Sequence, residues 1–215
     1  EMMAYCKRHG FEIAPHGKTN MSPTLIDMQL VDGVWGISAT SNWQMRTFYS
    51  MGVPRVILTN EVVNPTIIKW ISKTLNRDKN FDLLMYVDSV AGVKLLNDVL
   101  APLKPLRPLT VLIEMGVKGG RAGARTKETA LEVATAVATS NHLVLRGISG
   151  FEGVALAPEG KTVLDGVDAF LDLIVETVKE IDAVGAFAKT PEIVLTAGGS
   201  NYFDRVIAKF SPVSL

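Results

Sequence analysis

The sequence predicts an α/β fold with one parallel sheet, either doubly wound or closed as a (β/α)8 barrel. Apolar, strand-like runs alternate with helical runs along the 215 residues, and this alternation is typical of parallel sheets with right-handed crossovers. Most runs are continuously apolar, which indicates strands covered on both faces. Because no long linker rich in glycine, proline or serine interrupts the pattern, residues 1–215 are predicted to form one domain.

Seven strands are predicted from the apolar runs. In chain order they are 11–15 (FEIAP), 34–39 (VWGISA), 55–59 (RVILT), 82–88 (DLLMYVD), 109–115 (LTVLIEM), 145–151 (LRGISGF) and 192–197 (EIVLTA). A barrel of this type has eight strands, so about seven of eight are expected in this chain. The chain opens in what reads as the last turns of a helix and stops inside a connection, which predicts an internal fragment of a longer chain.

Helices are predicted between the strands, and capping residues indicate where several begin. The predicted helices are 23–31, 42–51, 65–76, 89–100, 127–140, 164–185 and 200–209. Ser22 and Asn64 each precede a proline, which favours an N-cap followed by the first helical residue. The other candidate caps are Ser41 or Asn42, Asp88 or Ser89, and Thr126.

The composition excludes several classes of partner. Basic and acidic residues both number 22, so no excess charge favours nucleic acid or an anionic membrane. The single cysteine, Cys6, cannot form an intramolecular disulfide, and no apolar stretch approaches the roughly 20 residues of a membrane span. We therefore expect a cytoplasmic protein that binds a small molecule and neither nucleic acid nor membranes.

Polar and small residues follow every predicted strand. In either parallel architecture the active site gathers at the carboxyl ends of the strands. The residues expected there are His16 and Lys18, then Thr40, Asn60 and Glu61, Asp88, Glu114 and Arg121, Phe151 and Glu152, and finally Gly198, Gly199, Ser200 and Asn201. The set combines an amine, carboxylates, an arginine and a glycine-rich turn.

The turn formed by residues 198–201 is the clearest candidate for binding an anion. It lies between an apolar strand and a predicted helix, so its backbone N–H groups and the Ser200 hydroxyl could bind a phosphate. A plain tight turn or helix cap would explain the same residues. The spacing matches neither the nucleotide P-loop nor the dinucleotide-binding motif.

Lys18 is the candidate nucleophile. An amine held at a strand end in an apolar barrel mouth is desolvated, which lowers its pKa and favours the neutral form that attacks carbonyls. Most lysines are instead solvated surface charges. A phosphate-type turn on the same rim favours the reactive role, because pyridoxal 5'-phosphate requires both an amine for a Schiff base and a site for its phosphate.

Five motifs together resemble the fold-type III pyridoxal-phosphate enzymes. They are APHGKTNMSP, ISATSNWQMR, EMGVKGGRAGAR, GFEG and TAGGSNYFD, in this order along nearly the whole chain. They are most similar to the D-threonine aldolase and D-serine dehydratase (amino acid deaminase-like) branch. The resemblance implies an alanine-racemase-like barrel followed by a β-rich C-terminal domain, and we expect a homodimer when the chain is full length.

The resemblance also implies roles for individual residues. Lys18 would be the Schiff-base lysine, Arg121 would point into the site near the cofactor or the substrate carboxylate, and residues 198–201 would hold the phosphate. From the residues alone, Arg121 could equally form a salt bridge with Glu114 or Glu152.

His16, Thr40, Phe151 and Glu152 complete the predicted cofactor site. His16 could orient the cofactor or satisfy backbone groups of its turn. Phe151 could pack against the cofactor ring or fill the barrel. Glu152, like Glu114, could act as an acid, base or orienting group, or pair with arginine.

The family's divalent metal is held by a histidine with a cysteine or aspartate in the C-terminal domain. His9, His16 and His142 form no such pair, so no metal ligand is assigned here and a metal is expected only from a C-terminal domain.

The resemblance implies a lyase that acts on β-hydroxy D-amino acids, either as a D-serine dehydratase or as a D-threonine aldolase. A racemase, a pyridoxal-phosphate-binding protein without turnover and a Schiff-base aldolase without cofactor are the alternatives.

Overall fold

A curled parallel sheet forms the centre of the structure, a computed structural model that describes residues 1–187, 189–190 and 192–214. Its strands follow one another in chain order across the sheet, β1-β2-β3-β4-β5-β6. With right-handed crossovers, this order places the connecting helices on one face of the sheet, so that the sheet curls into part of a barrel.

The elements have the following bounds. The strands are β1 (Ile37–Ala39), β2 (Arg55–Glu61), β3 (Asp82–Val87), β4 (Leu109–Met115), β5 (Leu143–Gly150) and β6 (Val194–Ala197). The α-helices are α1 (Met2–Arg8), α2 (Pro23–Val31), α3 (Asn42–Ser50), α4 (Pro65–Arg77), α5 (Val90–Leu100), α6 (Lys127–Ala138), α7 (Val163–Ala183) and α8 (Phe203–Phe210), with 3-10 turns at Ala101–Leu103 and Glu152–Val154. Within the described residues, no helix is both long and apolar enough to cross a bilayer.

The predicted count of seven strands is not confirmed, because the described residues form six. Residues 11–15 run beside β1 without forming a strand: the N–H of Ser38 donates to the Pro15 carbonyl at 2.9 Å, and a single bridge joins His16 to Ser38. Pro15 has no N–H to donate, which interrupts a regular ladder. The segment is nevertheless held against β1.

Five of the predicted helix starts are confirmed by side-chain caps. Ser22, Ser41, Asn64, Ser89 and Thr126 each accept a hydrogen bond from a backbone N–H in the first turn of the helix that follows. These bonds satisfy donors that a helix cannot satisfy itself. Of the paired alternatives, the caps are therefore Ser41 and Ser89.

The two faces of the sheet bury different sets of side chains. The larger apolar core lies between the sheet and the helices, whereas a small cluster that includes Ile57, Leu84, Tyr86 and Leu112 covers the inner face. Towards the carboxyl ends of the strands, polar groups follow this inner cluster, since the Ser149 hydroxyl donates to the Tyr86 oxygen and Glu114 is buried nearby. The inner face therefore ends in a polar rim.

Candidate active site

Lys18 lies in a turn that β1 holds in place. The N–H of Gly17 donates to the Ser38 carbonyl at 3.0 Å, and a Cβ on Gly17 would come within 2.5 Å of the Phe48 ring, so only glycine fits without displacing Phe48. The Lys18 side chain is exposed. The expected desolvation of Lys18 is therefore not seen, and its amine is accessible to a small molecule.

Gln44 connects the Lys18 turn to Thr40. Its Oε1 accepts hydrogen bonds from both the N–H and the hydroxyl of Thr40 at 2.8 Å, and its Nε2 donates to the Lys18 carbonyl at 3.3 Å. Gln44 was not predicted from the sequence as part of the site. The signal was present in Ser41-x-x-Gln44, the spacing of a capping box, in which the fourth residue reaches back before the helix.

Positive charges of the rim affect the pKa of His16. His16 is exposed by surface area, yet the protein around its ring still lowers its pKa by desolvation, and the charges of Lys18 and Arg121 lower the pKa further. The imidazole is therefore neutral at neutral pH. The same effect shows that Lys18 and Arg121, which are separated by 103 residues in sequence, act on one ring.

The loop that carries Arg121 folds back onto the end of β4. The N–H of Ala124 donates to the Glu114 carbonyl at 2.8 Å, and the N–H of Gly123 donates to Asp88 Oδ2 at 3.2 Å. The Arg125 guanidinium donates to the carbonyl oxygens of Gly120, Ala122 and Gly123. Arg125 thus organises the loop from within, a role that the sequence analysis did not identify.

Arg121 contacts an aromatic ring. Its guanidinium carbon lies 5.6 Å from the centroid of the Phe151 ring, and its side chain is exposed. Among the described residues, Arg121 forms no salt bridge with Glu114 or Glu152. The pairing considered for it from sequence is therefore absent, and its guanidinium is accessible.

Two carboxyl groups meet at the ends of β2 and β4. Glu114 is only 5% exposed, and the Glu61 carboxyl group lies close to it. Burial, followed by the neighbouring Glu61 carboxyl group, raises the pKa of Glu114 to about 8, although the Arg121 charge lowers it. Glu114 is therefore protonated at neutral pH.

The glycine-rich turn lies beside Phe151 and Glu152. The N–H of Gly199 donates to Glu152 Oε1 at 2.8 Å, and Glu152 is fully buried. Gly198, Ser200 and Asn201 are exposed. Helix α8 begins at Phe203, later than predicted, so the turn precedes the helix rather than forming its first residues.

Contacts link the predicted residues into two groups at the carboxyl ends of the strands. Gln44 joins the Lys18 turn to Thr40, and the Phe151 ring lies between Arg121 and the Gly199 turn. Phe151 is half-buried. No group of three or more side chains suited to a metal ion occurs in the part of the chain that the structure describes.

Comparison with known proteins relates the chain to enzymes of D-amino acids. It is 30% identical over 207 residues to 3-hydroxy-D-aspartate aldolase from Paracoccus denitrificans, an alignment that spans 95% of this chain and 52% of the enzyme. The chain is a homologue of this aldolase. It spans about half the length of the relative, and no family model matches it.

Solved structures show the fold of this aldolase homologue. D-threonine aldolase from Filomicrobium marinum superposes with a TM-score of 0.77 at 18% identity, over 97% of this chain and 54% of that one. PipY from Synechococcus elongatus, solved with pyridoxal phosphate bound, superposes with a TM-score of 0.61 at 12% identity, over 92% of this chain and 85% of that one. The resemblance predicted from the five motifs is thereby confirmed.

Proposed function

We propose that this chain binds pyridoxal 5'-phosphate on its carboxyl rim and forms part of a lyase that acts on β-hydroxy D-amino acids. The observation that carries the proposal is the joint placement of an accessible amine, Lys18, and an exposed small-residue turn, 198–201, on one rim of a homologue of 3-hydroxy-D-aspartate aldolase. The PipY structure supports the cofactor, because it contains pyridoxal phosphate and consists largely of the part of the fold shared with this chain.

The residues present suit this cofactor. When bound, it would supply an aldehyde, a ring that takes up an electron pair and an anionic phosphate. Lys18 provides the primary amine, and Ser200 and Asn201 provide exposed donors for the phosphate. Phe151 supplies an apolar surface between Arg121 and the turn.

The charges of the rim suit an anionic ligand. Lys18 and Arg121 are positive and close enough to lower the pKa of His16. Glu114 retains a proton near neutral pH, so the carboxyl groups beneath Arg121 carry less negative charge than their number indicates. Arg121 is left to bind a substrate carboxylate, for which a guanidinium is well suited.

The proposed reaction cleaves either the Cα–Cβ bond, as in an aldolase, or the bond to the β-hydroxyl, as in a dehydratase. The similarity to 3-hydroxy-D-aspartate aldolase favours cleavage of the carbon–carbon bond.

We further propose that the curled sheet is part of an eight-stranded barrel, since a groove of about 380 Å³ lies between residues 10–14 and β6.

Turnover and product analysis test the proposal. The full-length protein of which this chain is part, loaded with pyridoxal 5'-phosphate, is given D-threonine, D-serine and 3-hydroxy-D-aspartate. Glycine or an aldehyde among the products would indicate an aldolase, and a 2-oxo acid with ammonia would indicate a dehydratase. Cofactor binding without any product would favour a binding protein without turnover, and appearance of the L-enantiomer would favour a racemase.

A further inference from the structure

Glu152 is a buried carboxylate whose two oxygens have different surroundings. It is fully buried in the 3-10 turn that follows β5, and its Oε1 accepts the Gly199 N–H at 2.8 Å. Its Oε2 is buried and has no hydrogen-bond partner among the described residues. Burial of a carboxylate without a cation is costly, so the single bond to Gly199 must offset part of that cost.

The bond to Gly199 continues the pairing of β5 with β6. Gly150 pairs with Ala197 at the end of the ladder, and Glu152 and Gly199 each lie two residues further along. After Gly150 the chain leaves the strand for the 3-10 turn. The Glu152 side chain therefore supplies the acceptor that a strand carbonyl would otherwise have supplied.

Gly199 is closely packed at this point. A Cβ on Gly199 would lie 2.7 Å from Phe151 Cε2 and 3.5 Å from Glu152 Oε1. Carbon atoms in van der Waals contact lie about 3.5–4.0 Å apart, so a side chain would displace Phe151. The turn is thus fixed by a hydrogen bond and by ring packing.

We propose that Glu152 is a positioning residue for the phosphate turn, which it holds through the Gly199 amide without contacting the phosphate itself. This inference rests on the proposed binding of pyridoxal 5'-phosphate. It changes two expectations from sequence: Glu152 is not a direct ligand, and the Gly199 N–H is not a phosphate donor. A carboxylate repels a phosphate, whereas the Ser200 hydroxyl and the amides of Ser200 and Asn201 can donate to one.

Two substitutions distinguish a positioning role of Glu152 from a general loss of stability. E152Q retains an oxygen that can accept the Gly199 N–H, whereas E152L fills a similar volume and accepts nothing. Pyridoxal 5'-phosphate is compared with pyridoxal, which lacks the phosphate, and dissociation constants are measured by absorbance. We expect E152L to weaken binding of pyridoxal 5'-phosphate by roughly tenfold and to leave pyridoxal within about twofold, with E152Q close to wild type.

Equal losses for the two ligands in E152L, or no loss for either, would overturn the inference. Hydrogen exchange of the Gly199 amide without ligand gives a second test, in which E152L should exchange faster than wild type and E152Q should not. Unchanged exchange in E152L would also contradict the inference. A wild-type protein that binds neither ligand would instead refute the proposed function, and with it any phosphate role for Glu152.

Discussion

Glu61 of β2 and Glu114 of β4 lie close together at the carboxyl ends of their strands, although β3 lies between them in the sheet. Glu61 Oε1 is buried and has no hydrogen-bond partner among the described residues. Asp88, Tyr86 and Arg121 are the charged or titratable groups that act on Glu114 besides Glu61. Glu114 therefore holds a proton at neutral pH beside the Arg121 charge.

The raised pKa of Glu114 predicts how stability depends on pH. Burial and Glu61 raise the pKa of Glu114 from 4.5 to about 8 in the folded protein. Between these values the folded state binds a proton that the unfolded state does not, so the free energy of unfolding falls as pH rises from about 4.5 to about 8. E114Q has no proton to lose and should gain roughly 2–4 kcal/mol relative to wild type across this range.

Urea unfolding at several pH values measures this difference. E132Q, which changes an exposed glutamate of α6, is the matched control and should follow the wild-type dependence. Parallel pH profiles for E114Q and wild type would show that Glu114 ionises in the folded protein as it does in the unfolded one.

Gln44 is expected to hold the Lys18 turn in place. Q44A removes the acceptor for two Thr40 donors and the donor to the Lys18 carbonyl, and should cost about 1–2 kcal/mol of unfolding free energy. Q44E keeps an acceptor for Thr40 and loses only the donor to Lys18. The Thr40 amide should therefore exchange faster with solvent in Q44A than in Q44E, and equal rates would argue against the bond between Thr40 and Gln44. Reactivity of the Lys18 turn should change in both variants, because both lose the donor to the Lys18 carbonyl.

Substitutions of the two arginines in the loop after β4 should affect different properties: R121A the activity, and R125A the stability. Arg121 is exposed and contacts only the Phe151 ring among the interactions described, so R121A should change the free energy of unfolding by less than about 1 kcal/mol. If Arg121 binds the substrate carboxylate, turnover by R121A should fall by about a hundredfold or more.

Arg125 provides the contrast. Its guanidinium donates to three backbone carbonyls of the loop, so R125A should lower the free energy of unfolding by about 2–3 kcal/mol. Thermal or urea unfolding of both variants tests the pair of predictions. A larger loss of stability in R121A than in R125A would reverse the assigned roles.

Local signals in the sequence predicted the helices well, because a cap needs only its own neighbours. Ser22, Asn64 and Thr126 each bind a backbone N–H within a few residues. The segment 11–15 was predicted as a strand from its apolar character, but strand formation depends on a partner and on free N–H groups. Its pairing with β1 reduces to one bridge at His16.

Parallel topology predicted which residues share the rim but not how their side chains pair. The order of strands was enough to bring Lys18 and Arg121 near one imidazole. The bond between Glu152 and Gly199 depends on the register of β5 and β6, which neither run of residues reveals alone. The exposure of Lys18 could not be foreseen either, because it depends on how the turn packs against β1.

Attachment of the cofactor to Lys18 tests the central claim most directly. The protein is incubated with pyridoxal 5'-phosphate, treated with borohydride and mapped by mass spectrometry. We expect a single reduced adduct on Lys18, which K18R should lose because a guanidinium remains protonated and is no nucleophile. An adduct confined to other lysines, or equal labelling of wild type and K18R, would contradict the account.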